Sequence, residues 1–110
     1  MNIPTVTLDG VPHPLPAGLH VLDVREQDEW QAGHIEGALH IPLSELGGRV
    51  DDVPTDQTLV VCKAGGRSAQ ATGFLAQHGR DVVNLDGGMV DWEAAGRPMI
   101  SETGQPARVI

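Results

Sequence analysis

Apolar runs and helix-type spacing alternate along the chain and predict an alternation of strands and helices. The clearest run is at residues 58–62, which is β-branched and continuously apolar, as expected for a central parallel strand covered on both faces. Residues 67–78 follow with apolar side chains on one helix face. Gly33 is placed to end an earlier helix in the left-handed conformation. Further strands are predicted at residues 5–8, 20–24, 38–41 and 81–84, and further helices at 26–32, 43–50 and 89–95.

This alternation indicates an α/β fold in a single domain, with a largely parallel central β-sheet flanked by helices on both faces. The length of 110 residues allows one such domain and excludes a second full one. Residues 1–18 are expected to form the N-terminal strand and a Pro/Gly-rich loop of this domain, and residues 19–97 its core. Residues 98–110 are expected to be a tail that is either an extended wrap or partly disordered.

Charge and composition narrow the classes of partner. Fifteen acidic residues against seven basic ones give a net charge of −8, which argues against nucleic acid or an anionic membrane surface as a partner. No apolar run approaches the roughly 20 residues of a membrane span, and the first residues lack a signal-peptide pattern. Cys62 is the sole cysteine and has no internal disulfide partner, so a reducing, cytoplasmic location is expected. The five histidines show no ligand spacing, so no metal site is expected.

The candidate chemistry lies where the central strand ends. Cys62 stands at the predicted carboxyl edge of the sheet, and Gly65 and Gly66 make a turn before the next helix. The amides of such a turn and the start of the helix favour an anion, so they are expected to depress the pKa of the Cys62 thiol. Lys63 and Arg67 add positive charge to an otherwise acidic chain, which suits a small anionic substrate.

Cys62 and two residues of the neighbouring strand end, Asp23 and Arg25, also have a purely structural interpretation. An isolated cysteine at a strand end is most often a small buried hydrophobe. Here the glycines and basic residues directly after Cys62 favour a reactive thiol instead. Asp23 and Arg25 follow the neighbouring strand, where they either brace the cysteine loop and shape its charge or form an ordinary ion pair. The sequence leaves both interpretations of that pair open.

Four segments in order carry the pattern of a known family. Cys62, Gly65, Arg67 and Ser68 meet the pattern Cys-x-x-Gly-x-Arg-Ser. The other segments are an Asp-Val-Arg element, an aromatic residue followed by His-Ile-x-Gly-Ala, and a Gly-Gly segment closed by Trp, at residues 22–25, 30–38 and 84–92. Over about residues 19–97 the chain therefore resembles the single-domain members of the rhodanese family of sulfurtransferases.

The resemblance implies a mechanism and a set of site residues. Cys62 as a thiolate attacks the outer sulfur of thiosulfate or a similar small anionic donor and becomes a persulfide. A nucleophilic acceptor, which is cyanide or a thiol (protein thiols included), then removes the sulfur. No metal and no organic cofactor is needed. Asp23 and Arg25 would support the loop, and the donor would be bound by Lys63, Ala64, Gly65, Gly66, Arg67 and Ser68.

Two rival functions share parts of this pattern. Cysteine-dependent phosphatases and arsenate reductases of similar design place five residues between the cysteine and the arginine, whereas four separate Cys62 from Arg67. The shorter loop favours sulfur over phosphate. A noncatalytic rhodanese-like binding module is the second rival, and the intact Cys62 loop argues against it.

Overall fold

The computed structural model describes residues 3–110, and its elements alternate as the sequence predicts. The longest helix has 12 residues, and no helix of the described residues is long and apolar enough to cross a membrane. The strands are β1 (Thr5–Val6), β2 (His20–Asp23), β3 (Leu39–His40), β4 (Thr58–Val61) and β5 (Val82–Leu85), and the α-helices are α1 (Gln27–Ala32), α2 (Gly66–Gln77) and α3 (Gly88–Ala94).

Within residues 3–110 the strands form one parallel sheet in the order β1-β5-β4-β2-β3. β4 lies at its centre and is buried at every position, as its continuous apolar run predicts. Asp23 at the end of β2 is in register with Val61 at the end of β4. The residues that follow these two strands therefore meet at the carboxyl edge of the sheet.

The two faces of the sheet are covered by different helices. Leu22 and Val60 pack in one core cluster with Leu75 of α2. Val61, whose side chain alternates to the opposite face, packs in a second cluster with Trp92 of α3. Helices on both faces of a parallel sheet confirm the predicted α/β fold class.

Two predicted elements take a different form. The helix expected at residues 43–50 is a 3-10 helix over Leu43–Gly48, followed by a second 3-10 turn over Val50–Asp52. Gly47 and Gly48 weaken an α-helix at this point because glycine loses more backbone entropy there than other residues. The first strand covers only Thr5–Val6, and Leu8, the last residue of the predicted run, begins a 3-10 turn over Leu8–Gly10.

The tail after Pro98 is an extended wrap over the end of α1. Ile100 pairs with His34 in an antiparallel bridge, and the Arg108 amide donates to the Ala32 carbonyl at 3.0 Å. Gly33 lies directly beneath this segment with a φ of 175°, so the prediction of a left-handed helix stop is wrong. A Cβ at Gly33 would lie 2.6 Å from the Arg108 carbonyl oxygen. This glycine is therefore required for the close passage of the tail.

Candidate active site

The loop of Cys62 is fixed between the central strand and the start of α3. Cys62 directly follows β4, and α2 begins four residues later. The Met89 amide donates to the Cys62 carbonyl at 2.8 Å, and the Val90 amide donates to the Lys63 carbonyl at 3.0 Å. A Cβ at Gly88 would lie 2.3 Å from the Cys62 carbonyl oxygen. Any side chain at position 88 would therefore displace the loop that carries the cysteine.

The sulfur of Cys62 is almost completely enclosed and accepts two hydrogen bonds. The side chain is 1% exposed. The Gly65 amide donates to Sγ at 3.1 Å, and the Ser68 hydroxyl lies 3.2 Å from it. Gly65 adopts a φ of +114°, which residues with a side chain rarely adopt.

These donors decide the acidity of the thiol. Burial raises the pKa of Cys62 by disfavouring its charged form, and this is the largest single effect. The Ser68 hydroxyl and the nearby amides of Ser68, Gly65 and Ala64 together outweigh burial, so the pKa of the thiol lies below its ordinary value. The site is thus arranged to hold a negative charge on sulfur without exposing that charge to bulk water.

The Ser68 hydroxyl has a second partner, which the sequence analysis did not identify. Its Oγ lies 2.6 Å from Oδ1 of Asn84, a residue of the neighbouring strand β5. Asn84 is 4% exposed and Ser68 is fully buried. The available signal was a polar residue inside the apolar run of a strand, because such a residue must find a hydrogen-bond partner.

Arg67 does not stand free beside the sulfur. Its Nη1 and Nη2 bind the two carboxylate oxygens of Glu29 in α1 at 2.7 and 2.9 Å. This bidentate pair lowers the pKa of Glu29 to about 2, with the hydrogen bonds from Arg67 as the first cause. Glu29 also accepts a hydrogen bond from the Glu26 amide and so caps its own helix. Glu29 is a second site residue that the sequence analysis missed.

The other loop residues differ in how far they face solvent. Lys63, Ala64 and Gly66 are exposed, whereas Gly65 is buried. Lys63 therefore carries its positive charge on the solvent side of the loop, whereas the buried Gly65 donates its amide to the enclosed sulfur.

Asp23 and Arg25 form a buried ion pair at the same edge of the sheet. Both are 0% exposed. Arg25 donates from Nε and Nη2 to the Asp23 carboxylate at 2.7–3.1 Å, and Nη2 also donates to the Gly33 carbonyl at 2.8 Å. His40 binds the Arg25 carbonyl through Nε2 at 2.7 Å. The pair thereby joins the end of β2 to α1 and β3, the elements that carry and surround Glu29.

Within residues 3–110, no group of three or more His, Cys, Asp or Glu side chains is arranged to hold a metal ion. An enclosed thiolate with donors on one side is a nucleophile for a small electrophile that reaches it from the loop.

Comparisons with known proteins match this chain to rhodanese-like proteins in both sequence and structure. The model of the rhodanese-like domain family matches residues 12–95. The thiosulfate sulfurtransferase PspE of Escherichia coli is 38% identical over 81 residues, which cover 71% of this chain and 78% of PspE. The putative sulfur carrier protein YrkF of Bacillus subtilis is 34% identical over 95 residues, or 83% of this chain and 51% of YrkF. A crystal structure of a rhodanese-related protein from Thermoplasma volcanium has a TM-score of 0.73 and 37% identity, covering 76% of this chain and 84% of that one.

Some relatives are considerably longer than this chain. The chain spans about half the length of YrkF. It spans 36% of the HTH-type transcriptional regulator Rv0324 of Mycobacterium tuberculosis, to which it is 38% identical over 82 residues. The match to the family model nevertheless covers most of the chain, including β4, which precedes Cys62, and α2, which follows it. The chain therefore belongs to the rhodanese family of sulfurtransferases, as its four sequence segments predict.

Proposed function

We propose that this chain is a sulfurtransferase that moves a sulfane sulfur from thiosulfate or a similar donor to cyanide or a thiol through a persulfide on Cys62. The observation that carries this proposal is the enclosed Cys62 sulfur, which accepts hydrogen bonds from the Gly65 amide and the Ser68 hydroxyl. The names of the relatives support it, since PspE is called a thiosulfate sulfurtransferase and YrkF a putative sulfur carrier.

In the first half of the cycle the Cys62 thiolate attacks the outer sulfur of thiosulfate. A new S–S bond forms to Sγ, and the bond between the outer sulfur and the sulfonate breaks. Sulfite leaves with the bonding electron pair, and Cys62 retains a persulfide that carries the negative charge on its terminal sulfur. The amides of residues 63–67 would stabilise that charge: the Gly65 amide already donates to Sγ, and the Ala64 and Ser68 amides already lower the pKa of the thiol.

In the second half the acceptor attacks the terminal sulfur. Cyanide forms a C–S bond and leaves as thiocyanate, whereas a thiol leaves as a persulfide. In both cases the electron pair of the broken S–S bond returns to Sγ and restores the Cys62 thiolate. The cycle therefore needs one cysteine and no cofactor, and a protein thiol is a suitable acceptor by the same chemistry.

The remaining site residues have supporting roles in this proposal. Lys63 attracts the donor anion, and the backbone of Ala64, Gly65 and Gly66 shapes the cradle. Arg67 and Ser68 lie in the first turn of α2, where Arg67 binds the sulfur donor and the Ser68 hydroxyl binds the sulfur of Cys62. Asp23 and Arg25 hold the neighbouring strand end in place, a role that their buried pair supports. Because the cycle depends on a reduced thiolate, we place it in a reducing compartment, the cytoplasm.

The proposal predicts a clear preference among substrates. With thiosulfate and cyanide the protein should produce thiocyanate catalytically, whereas an aryl phosphate should be left intact. The physical reason is the loop between Cys62 and Arg67. Its four residues form a smaller ring of amides than the five residues of the phosphatases, and the smaller ring suits a single sulfur atom better than a phosphate group. The measurement is thiocyanate release beside phosphate release under the same conditions. Phosphate release that is lost in Cys62→Ser, without thiocyanate formation, would assign the protein to the phosphatase or arsenate reductase class instead.

A second prediction concerns the charge that Arg67 offers to the donor. Replacing Glu29 with glutamine removes the negative charge that pairs with Arg67, so the Arg67 guanidinium becomes free to bind thiosulfate. The Gln side-chain oxygen can still cap α1. We expect kcat/KM for thiosulfate to rise by up to about tenfold. Because the pKa of Glu29 is about 2, this carboxylate is charged throughout the range above pH 5, so its own titration should add no pH dependence to the gain between pH 5 and 9.

The matched control for Glu29→Gln is Asp56→Asn. It changes the net charge equally but lies beside the start of β4, at the opposite edge of the sheet. We expect kcat/KM to stay near the wild-type value in this control. An equal gain in both variants would mean that only the net charge matters, and a loss in Glu29→Gln would mean that the ion pair is needed to hold Arg67 in its working position.

A further inference from the structure

The hydroxyl of Ser68 lies between two acceptors and has one proton. Oγ is 3.2 Å from Sγ of Cys62 and 2.6 Å from Oδ1 of Asn84. The three side chains are 0–4% exposed, so bulk water does not supply additional donors. A hydroxyl donates one hydrogen bond at a time, and the sulfur and the amide oxygen therefore compete for it.

The competition changes during the reaction that we propose for Cys62. In the thiolate state the negative charge is on Sγ, so the Ser68 hydroxyl makes its stronger hydrogen bond when it donates to the sulfur. In the persulfide state Sγ is a neutral bridging atom, and the charge is one atom further out, toward the loop amides. The Ser68 hydroxyl then loses its charged acceptor and would be a buried, unsatisfied donor without a second partner.

We propose that Asn84 is a positioning residue for sulfur transfer. Its side-chain oxygen accepts the hydrogen bond of the Ser68 hydroxyl when Sγ is neutral, and the hydroxyl turns back to donate to Sγ when Sγ is a thiolate. Thr72, one helical turn after Ser68, donates to the Ser68 carbonyl at 2.7 Å and holds this part of α2 in place. The hydroxyl can thus exchange partners by rotation about its C–O bond alone, with no movement of the backbone. This inference rests on the proposed function, since it assigns a role within that cycle.

The inference predicts opposite effects for two substitutions of Asn84. Asn84→Leu keeps a similar volume but removes the competing acceptor, so the Ser68 proton stays on the sulfur and the thiolate is favoured. The midpoint pH of thiolate formation should fall by roughly 0.5–1. Asn84→Asp presents a charged acceptor that holds the proton more strongly, and it adds a negative charge near the sulfur. The midpoint should therefore rise.

The experiment is a pH titration of the ultraviolet absorbance of the thiolate. It reports on Cys62 alone, because the chain has one cysteine and no tyrosine. The other charged groups around the loop remain unchanged in the variants: Lys63 in the loop, Arg67 in α2 with its partner Glu29, the Asp23 and Arg25 pair, and Asp86 after β5. Val83→Ala in the same strand is the control, and its titration should match the wild type.

A Ser68→Ala background separates a role through the hydroxyl from a general effect on packing. In that background Asn84→Leu should leave the midpoint unchanged. The same downward shift with and without Ser68, or no shift with Ser68 present, would overturn the proposal. Because the titration needs no sulfur donor, its outcome is independent of whether thiosulfate is a substrate. A second measurement, the fraction of protein loaded with persulfide at equal thiosulfate and sulfite, should fall in Asn84→Leu.

Discussion

Replacing Cys62 with serine is expected to lower thiocyanate formation by at least about a thousandfold. A serine hydroxyl stays protonated at neutral pH in this environment, and an oxygen nucleophile cannot form the persulfide that stores the transferred sulfur. The donors that hold the thiolate, Gly65 and Ser68, remain in place and cannot compensate. The measurement is the steady-state rate with thiosulfate and cyanide at saturating concentrations.

The same variant needs a test of folding, because Cys62 is part of the buried core. We expect Cys62→Ser to unfold in urea within about 1 kcal/mol of the wild type, since serine has nearly the same volume and keeps the two hydrogen-bond donors as partners. Retained activity in a correctly folded Cys62→Ser protein would exclude a persulfide on this residue and favour catalysis by other groups.

The largest effect on stability is expected at Asp23. Asp23→Ala leaves the Arg25 guanidinium buried without its carboxylate, and breaking a buried ion pair in this way typically costs about 3–5 kcal/mol. A domain of this size is stable by about 5–15 kcal/mol, so the variant should lose a large part of its free energy of unfolding. Urea denaturation measures this loss as a lower midpoint.

A double variant distinguishes charge burial from other causes. Asp23→Leu combined with Arg25→Met removes both charges and keeps the core filled, so it should recover most of the stability that Asp23→Ala loses. It does not restore the bond from Arg25 to the Gly33 carbonyl, and recovery should therefore be incomplete. If Asp23→Ala were as stable as the wild type, the pair would have no bracing role in this fold.

The Cys62 loop is predictable from the sequence because its causes are local. A buried strand, two glycines and a helix follow one another within residues 58–78, and each signal depends on neighbouring residues only. The parallel sheet follows from the same alternation. For this reason the fold class and the place of the cysteine at the carboxyl edge could be predicted without a structure.

The partners of the loop were not predictable because they come from distant parts of the chain. Glu29 is 38 residues before Arg67, and Asn84 is 16 residues after Ser68. Which side chains meet there depends on the strand order, which places β5 and β2 on either side of β4. The left-handed stop predicted at Gly33 is wrong for the same reason: its position after a helix suggests a stop, whereas its true constraint is the backbone of Arg108.

The proposed sulfur transfer depends most directly on a sulfur atom bound covalently to Cys62. The measurement is the intact mass of the reduced protein before and after thiosulfate, with Cys62→Ser treated in parallel. We expect a gain of one sulfur atom in the wild type, which cyanide removes, and no gain in the variant. An unchanged wild-type mass, with Cys62 shown to be reduced and able to react with a small thiol reagent, would contradict persulfide transfer through Cys62.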